Sequence, residues 1–510
     1  MSDSSENLAL QACFTCRQQK RKCSRELPAC LLCRKNKRPC NYPTKSADPT
    51  ANDVESYTQQ KNTFPALFFL DSYTFHRRRG VIQKPHIGLP DEFCLSVRSR
   101  EQVQHEVDLF FSSIHVFFPI VSRLRLYQQL SNSPDRPDAD LVLLLIAMQM
   151  HCRPRKDSGA DLYELAKRCC SYVERNNVFS LRLLQASLLI GLYEVANAIY
   201  PAAYLTAGHC ARLCHLMGIH DRKEAPQMLS IPGSWTEAEE RRRACWAIIV
   251  LDRYVNLGAG NRPFACDDAK PDDLLPMDED SWEKGEPIVI QPLAVSTCTE
   301  VPASPFARTC QASHLLSRIL RHINEKHEDA TFRYREAIQL HRTINAFNLA
   351  VSYEFDKITG ESYDATHEAA LFTSMAICYS AQLTLYDAYM CADADDISGV
   401  GIPEQLEMQN IAISNIKDVC MAVHRFANRI VGASESGGDL SRISPLTTDC
   451  LYEAAMLFIG YIRQIGKVEF VQTVMDMRNA LEILARRWDV ASEYLKILDG
   501  ESFHPGWQLS

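Results

Sequence analysis

From Ser99 onward, apolar residues recur every three or four positions, which is the period of an amphipathic helix. Prolines and glycines separate these stretches, and strand-like alternation does not replace them, so the pattern predicts one helix after another. The predicted helices lie at 103–117, 184–199, 203–217, 240–257, 315–323, 337–355, 369–390, 411–430, 448–462 and 471–498. Residues 96–500 are therefore expected to form a large all-α helical domain.

Two of these helices carry end signals. The helix at 203–217 should close on Gly218, since glycine readily takes the left-handed conformation that ends many helices. Thr236 and Glu239 have the spacing of a capping box, which predicts that the next helix starts there and runs towards Gly258. Because of their spacing, Arg241–Arg243 are expected to pair with the glutamates one turn earlier.

The first 45 residues differ, because they hold too few apolar side chains for a core and six cysteines instead. The spacing is C-x2-C-x6-C-x6-C-x2-C-x6-C, and residues 13–23 and 30–40 are two copies of one unit, seventeen positions apart. Two tetrahedral zinc ions need eight ligand places, which six thiolates fill only if two of them bridge. The pattern predicts a small metal-stapled domain with two Zn²⁺ ions held by Cys13, Cys16, Cys23, Cys30, Cys33 and Cys40.

Charge is concentrated in the same segment. Between Cys13 and Lys45 there are ten Lys or Arg residues against Glu26 alone, a balance of +9. With Asp3 and Glu6 included, residues 1–45 carry +7, and the remainder carries −15 because the whole chain carries −8. A polyanion is therefore the expected partner of the N-terminal segment. Arg17, Lys20 and Arg21 stand at i, i+3 and i+4, which places them on one face of a helix.

The cysteine spacing, the basic run and Pro28 in the middle loop resemble the fungal binuclear zinc-cluster transcription factors. The resemblance implies that Cys13 and Cys30 bridge the two metals and that the other four cysteines are terminal ligands. It also implies that a short helix of the first half enters the DNA major groove and reads a CGG-like triplet. Lys20 would be the base-reading residue, and its neighbours Arg17, Arg21 and Lys22 would hold phosphate.

Several stretches farther along resemble the regulatory middle region of the same family. They include VFFPIV, LLQASLLIGLYE, AYLTAGHCARLCHLMGIH and RRRACWAIIVLDRYVNLGAGNRP, and the resemblance is strongest over 107–276. The predicted organisation is a zinc-cluster DNA-binding domain at 13–43, a linker at 44–95 and an all-helical regulatory domain at 96–500. The linker is expected to be flexible at least to 63, whereas the aromatic run that begins at Phe64 is interpreted as the start of the folded body.

The linker offers no dimerising coiled coil, because Val54 and Tyr57 are the sizeable apolar residues between Thr44 and Thr63 and no heptad can be drawn. The oligomeric state is therefore open. The longest apolar stretch, Leu141–Met148, is far shorter than the about 20 residues that a membrane span needs, so no membrane association is expected.

A disulfide framework and a purely structural knuckle are the alternatives to a zinc site for the six cysteines, and RNA is the alternative partner of the module. The spacing and the lack of interleaved aromatics favour zinc and DNA. His209, Cys210, Cys214 and His215 are interpreted as helix-packing residues, and the aspartates at 267–273 as a solvated loop. No phosphate loop, nucleophile elbow or H-E-x-x-H motif is present, so an enzyme is not expected.

These observations predict a nuclear, sequence-specific DNA-binding regulator of RNA polymerase II promoters, with double-stranded DNA as its partner. Transcriptional coregulators and a small-molecule effector are further candidate partners of the helical body. The alternative is a ligand-binding or scaffold protein whose zinc module only localises it to chromatin. The sequence specifies neither the target genes nor whether the protein activates or represses them.

Overall fold

The computed structural model describes residues 9, 12–42 and 64–502, except 14, 17–18, 20, 79, 98, 133–136, 154–159, 222, 259, 287–292, 298–300, 326–328, 362–364, 391–402 and 466–469. The chain divides into two compact units, Met1–Thr63 and Phe64–Ser510. The first contains the six cysteines of the predicted cluster, and the second contains the predicted helical domain.

In the described part of the first unit, one short helix is α1 (Leu31–Lys35). The described helices of the second unit are α2 (Leu67–Leu70), α3 (Ser72–Arg77), α4 (Asp91–Leu95), α5 (Arg100–Ser112), α6 (Ile114–Phe117), α7 (Arg123–Asn132), α8 (Ala139–Cys152), α9 (Ala160–Arg175), α10 (Leu181–Ala196), α11 (Ala202–Met217), α12 (Trp235–Tyr254), α13 (Glu279–Lys284), α14 (Pro305–Asn324), α15 (Ala330–Glu361), α16 (Ala365–Met390), α17 (Pro403–Glu435), α18 (Thr448–Ile465), α19 (Val471–Ala485) and α20 (Asp489–Ser502). Two 3₁₀ turns, Leu440–Arg442 and Pro445–Thr447, lie between α17 and α18.

Three helices form the centre of the second unit. In α8 every residue from Ala139 to His151 is buried, and in α10 every residue from Leu183 to Ala196 is buried. These two helices pack against each other, and α16 occupies the corresponding place among α14, α15, α17 and α18. Helices buried on all sides must lie inside the domain, so the other helices surround them. Contacts between α12 and α14 join the two groups into one continuous apolar core.

This architecture confirms the predicted fold class, a cysteine-rich N-terminal unit and an all-α body. In the described part of the second unit the extended backbone amounts to a single isolated bridge between Leu274 and Ala294, and no strand is formed. None of the described helices combines the length and the apolarity that crossing a bilayer requires.

Helix ends follow the capping chemistry of the sequence, with one difference. Gly218 ends α11 with φ of 74°, as predicted, and a Cβ there would lie 2.2 Å from the carbonyl oxygen of Pro226. The sequence prediction of the α12 cap is wrong. Ser234, rather than Thr236, accepts the hydrogen bond from the Glu237 N–H, at 3.1 Å. Glu239, predicted to complete the cap, is buried and turned towards the arginines of the same helix.

Those arginines pair with glutamates one turn earlier, as the spacing predicts. Arg241 contacts Glu237 at 2.5 Å, and Arg243 contacts Glu239 at 3.0 Å. The second pair is fully buried, which the alternation of charges along the sequence does not reveal. The two pairs anchor α12 inside the body instead of solvating its surface.

The predicted helix at 471–498 is two helices, α19 and α20, so the single-helix prediction is wrong. Arg486 and Arg487 form a turn between them. The indole N–H of Trp488 donates to the carbonyl oxygen of Ile443, at 2.9 Å, and the indole is 2% exposed. Burying this large side chain against the 3₁₀ turns gives a physical reason for the break, since a continuous helix keeps its side chains on a fixed spiral.

Residues 64–95 pack onto the body, although the sequence assigns them to the linker. Phe93 is buried, with its ring centroid 5.8 Å from that of Tyr172. The Tyr172 hydroxyl donates to the carbonyl oxygen of Gly88, at 2.7 Å, and the Phe64 ring lies 5.9 Å from that of Phe179. These contacts agree with the interpretation of the aromatic run as the start of the folded body. Residues 43–63, the segment predicted to be flexible, lie outside the described residues.

Candidate metal centre and nucleic-acid interface

The seventeen-residue sequence repeat is also a repeat of backbone hydrogen bonds. In the first half, the N–H groups of Cys16, Gln19 and Arg21 donate to Cys13 Sγ, the Thr15 oxygen and the Cys16 oxygen. In the second half, the residues seventeen positions later make the same three bonds, from the N–H groups of Cys33, Asn36 and Arg38. Each half is therefore one turn of chain wrapped around a cysteine sulfur, and the repeated turns give Cys13 and Cys16 the same local backbone bonds as Cys30 and Cys33.

The two halves are tied together by side chains outside the cysteines. The Thr15 hydroxyl donates to the carbonyl oxygen of Pro39, at 2.8 Å, and the Tyr42 hydroxyl donates to that of Glu26, at 2.6 Å. The backbone N–H of Cys30 also donates to Cys40 Sγ, at 3.2 Å. This last bond holds Cys40 against Cys30, the first residue of the second half.

The sulfur positions fit tetrahedral zinc. Cys13 Sγ lies 3.8 Å from Cys30 Sγ and 3.7 Å from Cys33 Sγ, and Cys16 Sγ lies 3.6 Å from Cys30 Sγ. Four thiolates at about 2.3 Å from one zinc ion stand about 3.8 Å from one another, whereas a disulfide needs about 2.0 Å. All six cysteines are free thiols in the structure. The donor set suits zinc, which thiolates bind as closed, four-coordinate structural sites.

The sulfurs divide into two groups that share two members. Within each group all ligand atoms lie within 4.8 Å of one another, and the groups are Cys13, Cys16, Cys23 and Cys30, and Cys13, Cys30, Cys33 and Cys40. Cys13 and Cys30 stand in both, and each is 0% exposed. Desolvation raises the pKa of the Cys33 thiol to about 12, so zinc binding there must displace a proton that the metal-free module holds at neutral pH. This unit has too few apolar side chains to form a core, so cross-links through zinc stabilise its fold instead.

A basic groove lies beside the cysteines. It has a volume of about 390 Å³ and is lined by Lys22, Ser24, Leu31, Leu32, Arg34 and Lys35. Lys22 comes from the first half and Arg34 and Lys35 from α1 of the second, so both halves contribute cations to one surface. The Arg34 guanidinium is 66% exposed, and its 3.7 Å contact with Glu26 is long for an ion pair. Sequence reasoning favoured the first half and missed Arg34 and Lys35, although the repeat itself pairs Arg34 with Arg17.

The predicted DNA contacts are only partly described. Arg21 and Lys22 are exposed beside the cluster. Arg17 and Lys20, the latter predicted to read a base, lie outside the described residues, so the structure assigns them no position.

In the body, the described residues do not form a second metal site. Cys214 Sγ contacts Cys245 Sγ at 3.5 Å, and His209 pairs with Glu174 at 2.6 Å, so these groups serve helix packing. The Asp268 carboxylate forms ion pairs with Arg253 and Arg321, at 2.9 and 2.8 Å.

Two family descriptions match the chain. Residues 11–49 match the fungal Zn(2)-Cys(6) binuclear cluster domain, and residues 107–348 match the fungal specific transcription factor domain. The first covers the six cysteines and the basic groove, and the second runs from α5 into α15. Both motifs therefore occur in one polypeptide, in the order in which the structure places the two units.

Proteins with known names are similar to parts of the chain. Transcription factor BOA15 of Botryotinia fuckeliana is 41% identical over 179 residues, which are 34% of this chain and 98% of that protein. Transcription factor tazR of Aspergillus terreus is 27% identical over 247 residues, 46% of this chain and 38% of that protein. The pigment biosynthesis transcriptional activator pigB of Monascus ruber is 26% identical over 193 residues, 35% of this chain and 34% of that protein.

The alignments with tazR and pigB thus span little more than a third of those two proteins, whereas BOA15 is matched almost throughout. The two family matches and the identity to BOA15 agree with the sulfur geometry and the all-α body. The chain belongs to the fungal Zn(2)Cys(6) transcription factors, with a zinc-binding cysteine cluster at its N-terminal end and a helical regulatory domain after it.

Proposed function

We propose that this protein is a nuclear, sequence-specific regulator of RNA polymerase II promoters that reads a CGG-like triplet in the DNA major groove. The observation that carries the proposal is the pair of four-sulfur groups that share Cys13 and Cys30 inside a strongly basic unit. A cluster of two zinc ions, bridged by these two cysteines and completed by the other four, folds the unit into a rigid carrier of cations. A rigid basic surface of this size suits a double helix of phosphates.

The roles of the basic residues divide into base reading and phosphate binding. Lys20 is the proposed base reader, and Arg17, Arg21 and Lys22 are proposed to hold phosphate. The basic groove adds Arg34 and Lys35 to the phosphate contacts, because these cations share a surface with Lys22. Phosphate contacts set orientation and affinity, and the base contact sets the sequence preference.

The helical body is proposed to carry the regulatory function. Its central helices are buried on all sides and Arg243 of α12 is paired internally, so it is built as a stable unit that coregulators and a small-molecule effector can bind. The similarity of the chain to pigB, which is named a pigment biosynthesis transcriptional activator, supports activation as the direction of the effect.

The test of base reading compares Lys20→Met with Arg17→Met. A lysine that donates to guanine contributes about 1–3 kcal/mol of discrimination between sequences, so Lys20→Met should lower specific affinity towards the non-specific level. Arg17→Met should weaken binding to all sequences alike and reduce the salt dependence by about one charge. Fluorescence anisotropy with a site selected from random DNA and a scrambled duplex, at several salt concentrations, measures both. A Lys20→Met variant that keeps the wild-type specificity ratio would move the reader to Lys22 or Lys37.

The unit Met1–Thr63 is expected to be a monomer at micromolar concentration and to bind one half-site. The reason is that residues 44–63 carry too few apolar residues for a coiled coil. Sedimentation equilibrium of the 1–63 fragment, alongside the full chain, measures the state of each. A stable dimer of the fragment would contradict the prediction, whereas a dimer seen with the full chain alone would place the interface in the helical body.

A further inference from the structure

A cavity of about 230 Å³ lies in the helical body, where the first turns of α10 and α12 approach α7 and α8. Its wall contains four cationic and three carboxylate side chains, together with several leucines. The charged groups come from positions 84 to 241, so the fold, rather than any local motif, brings them together. The zinc cluster and the basic groove are parts of the other unit and do not contribute to it.

One side of the cavity is built around Asp140. Its carboxylate is 1% exposed and accepts hydrogen bonds from Lys84 Nζ at 2.7 Å, from the Ser180 hydroxyl at 2.6 Å and from Arg182 Nη1 at 3.3 Å. Asp138 also contacts Lys84 and Arg182, at 2.9 and 3.5 Å, but it does not line the cavity. The buried carboxylate thus fixes two cations, which are 35% and 23% exposed.

A second cluster of charged groups in the wall is built around Glu240. This carboxylate is 6% exposed and accepts from the Ser122 N–H at 2.7 Å, from Gln185 Nε2 at 3.2 Å and from Arg125. Burial raises the pKa of Glu240, and the adjacent Arg125 guanidinium opposes that rise. Arg125 also contacts Glu237 at 3.2 Å and is 24% exposed. Glu240 is therefore more deeply buried than Arg125, whereas Glu237 is 19% exposed and also lines the cavity.

The relative exposure of the acidic and basic side chains determines which charge a bound molecule contacts. The acids at the centres of the clusters are 1% and 6% exposed and the third, Glu237, is 19% exposed, whereas Lys84, Arg125 and Arg182 keep about a quarter to a third of their side chains exposed. A guanidinium has five N–H donors, and in the described part of the chain Arg182 uses only Nη1. Because Arg182 lines the cavity, its remaining donors suit a ligand that accepts hydrogen bonds and carries negative charge.

Two further features narrow the chemistry. Ser180 is the N-cap of α10, a helix of sixteen residues, so the positive end of the helix dipole also points to this side. Leu126 and Leu144 are buried in the wall, and Leu181 and Leu229 line its rim, which provides apolar contact beside the cations. A volume of 230 Å³ equals that of about eight water molecules, so only a small molecule fits.

We propose that this cavity binds a small organic carboxylate with a short apolar body, its carboxylate held by Arg182, Lys84 and Arg125 and its hydrocarbon part by the leucines. The site defines the chemical class of the effector that the helical body is proposed to bind. Only the regulatory role of that effector rests on the proposed function. Ligand binding is measured without DNA, so its failure and the failure of DNA recognition are separate results.

The experiment is isothermal titration calorimetry on the full-length, zinc-loaded chain with 3-methylbutanoate, succinate and benzoate as probes, each up to about 10 mM, which covers millimolar affinity. Inorganic phosphate and 3-methylbutanamide, the uncharged counterpart of the first probe, are titrated in parallel. At least one carboxylate is expected to bind, and the amide is not. Binding of the amide as tightly as the acid, binding of phosphate alone, or no binding of any carboxylate overturns the proposal.

Variants locate the site. Arg182→Met is expected to weaken carboxylate binding about tenfold, the loss expected for one charge-assisted hydrogen bond. Leu229→Phe keeps every charge and fills the cavity, so it should abolish binding even if Arg182→Met affects folding. Arg168 provides the matched control, because its side chain is 58% exposed and pairs with Glu92 away from the cavity. The variant Arg168→Met should bind the carboxylate as the wild type does. Wild-type affinity in both Arg182→Met and Leu229→Phe would place the carboxylate elsewhere.

Discussion

Replacing Cys13 by serine is expected to release both zinc ions and abolish DNA binding, whereas replacing Cys40 should leave one zinc ion loosely held. The difference arises because Cys13 Sγ belongs to both four-sulfur groups and Cys40 Sγ to one. Zinc binding provides about 10–16 kcal/mol per structural site in small zinc modules, which is also the free energy that folds them. Loss of a shared ligand therefore removes metal and fold together.

Native mass spectrometry counts the zinc ions on wild-type, Cys13→Ser, Cys30→Ser and Cys40→Ser chains. Two ions are expected for the wild type and none for the first two variants. Cys94→Ser, a half-buried cysteine of the helical body, is the matched control and should keep two. One zinc ion on the wild-type chain, or two on Cys13→Ser, would contradict the shared cluster.

Replacing Arg243 by methionine is expected to destabilise the helical body by about 3–5 kcal/mol, the usual cost of removing one partner of a buried ion pair. The Arg243 side chain is 0% exposed. Its Nε donates to Glu239 at 3.0 Å, its Nη2 donates to the Met277 oxygen at 2.6 Å, and its guanidinium lies 4.2 Å from the Trp282 ring centroid. Without it, Glu239 stays buried with fewer donors, and the Met277 carbonyl loses its bond.

Urea unfolding of the zinc-loaded chain, followed by circular dichroism, reports on the body because the body holds nearly all of the described helix. The midpoint should fall for Arg243→Met and change little for Arg342→Met, which removes an arginine that is 66% exposed. Arg243→Lys should recover part of the loss, because it keeps the charge but not the planar fork. Equal midpoints for the two methionine variants would show that the buried pair adds no stability.

The sequence predicts the cluster better than it predicts the body. Ligand number and spacing are local properties, so the cysteine pattern alone specifies the two half-sites that the structure brings together. Helical periodicity likewise predicts where helices lie. It does not predict which polar residues turn inward, and for this reason the sequence pattern places Glu239 in a cap although it is a buried partner of Arg243.

Features that depend on distant residues were not predictable. The cavity of the helical body joins Lys84, from the loop between α3 and α4, with Arg125 of α7 and Arg182 of α10, and each of them looks like an ordinary surface charge in the sequence. The break between α19 and α20 depends on the place where Trp488 is buried, and that place is formed by residues more than forty positions earlier. Periodicity carries no information about either.

The last helices of the body are tied to the first ones. Arg487 donates to the carbonyl oxygen of His151 in α8, and Arg442 Nε donates to that of Ser112 in α5, at 3.0 Å. During synthesis the early helices are therefore made before the residues that bond to them, which lie more than three hundred positions later. The cysteine unit, by contrast, is complete after about sixty residues. At about 5–20 residues per second, the zinc module precedes the finished body by tens of seconds. Over that interval the bonds that Arg487 and Arg442 make to α8 and α5 are still missing, while the DNA-binding module is already able to fold.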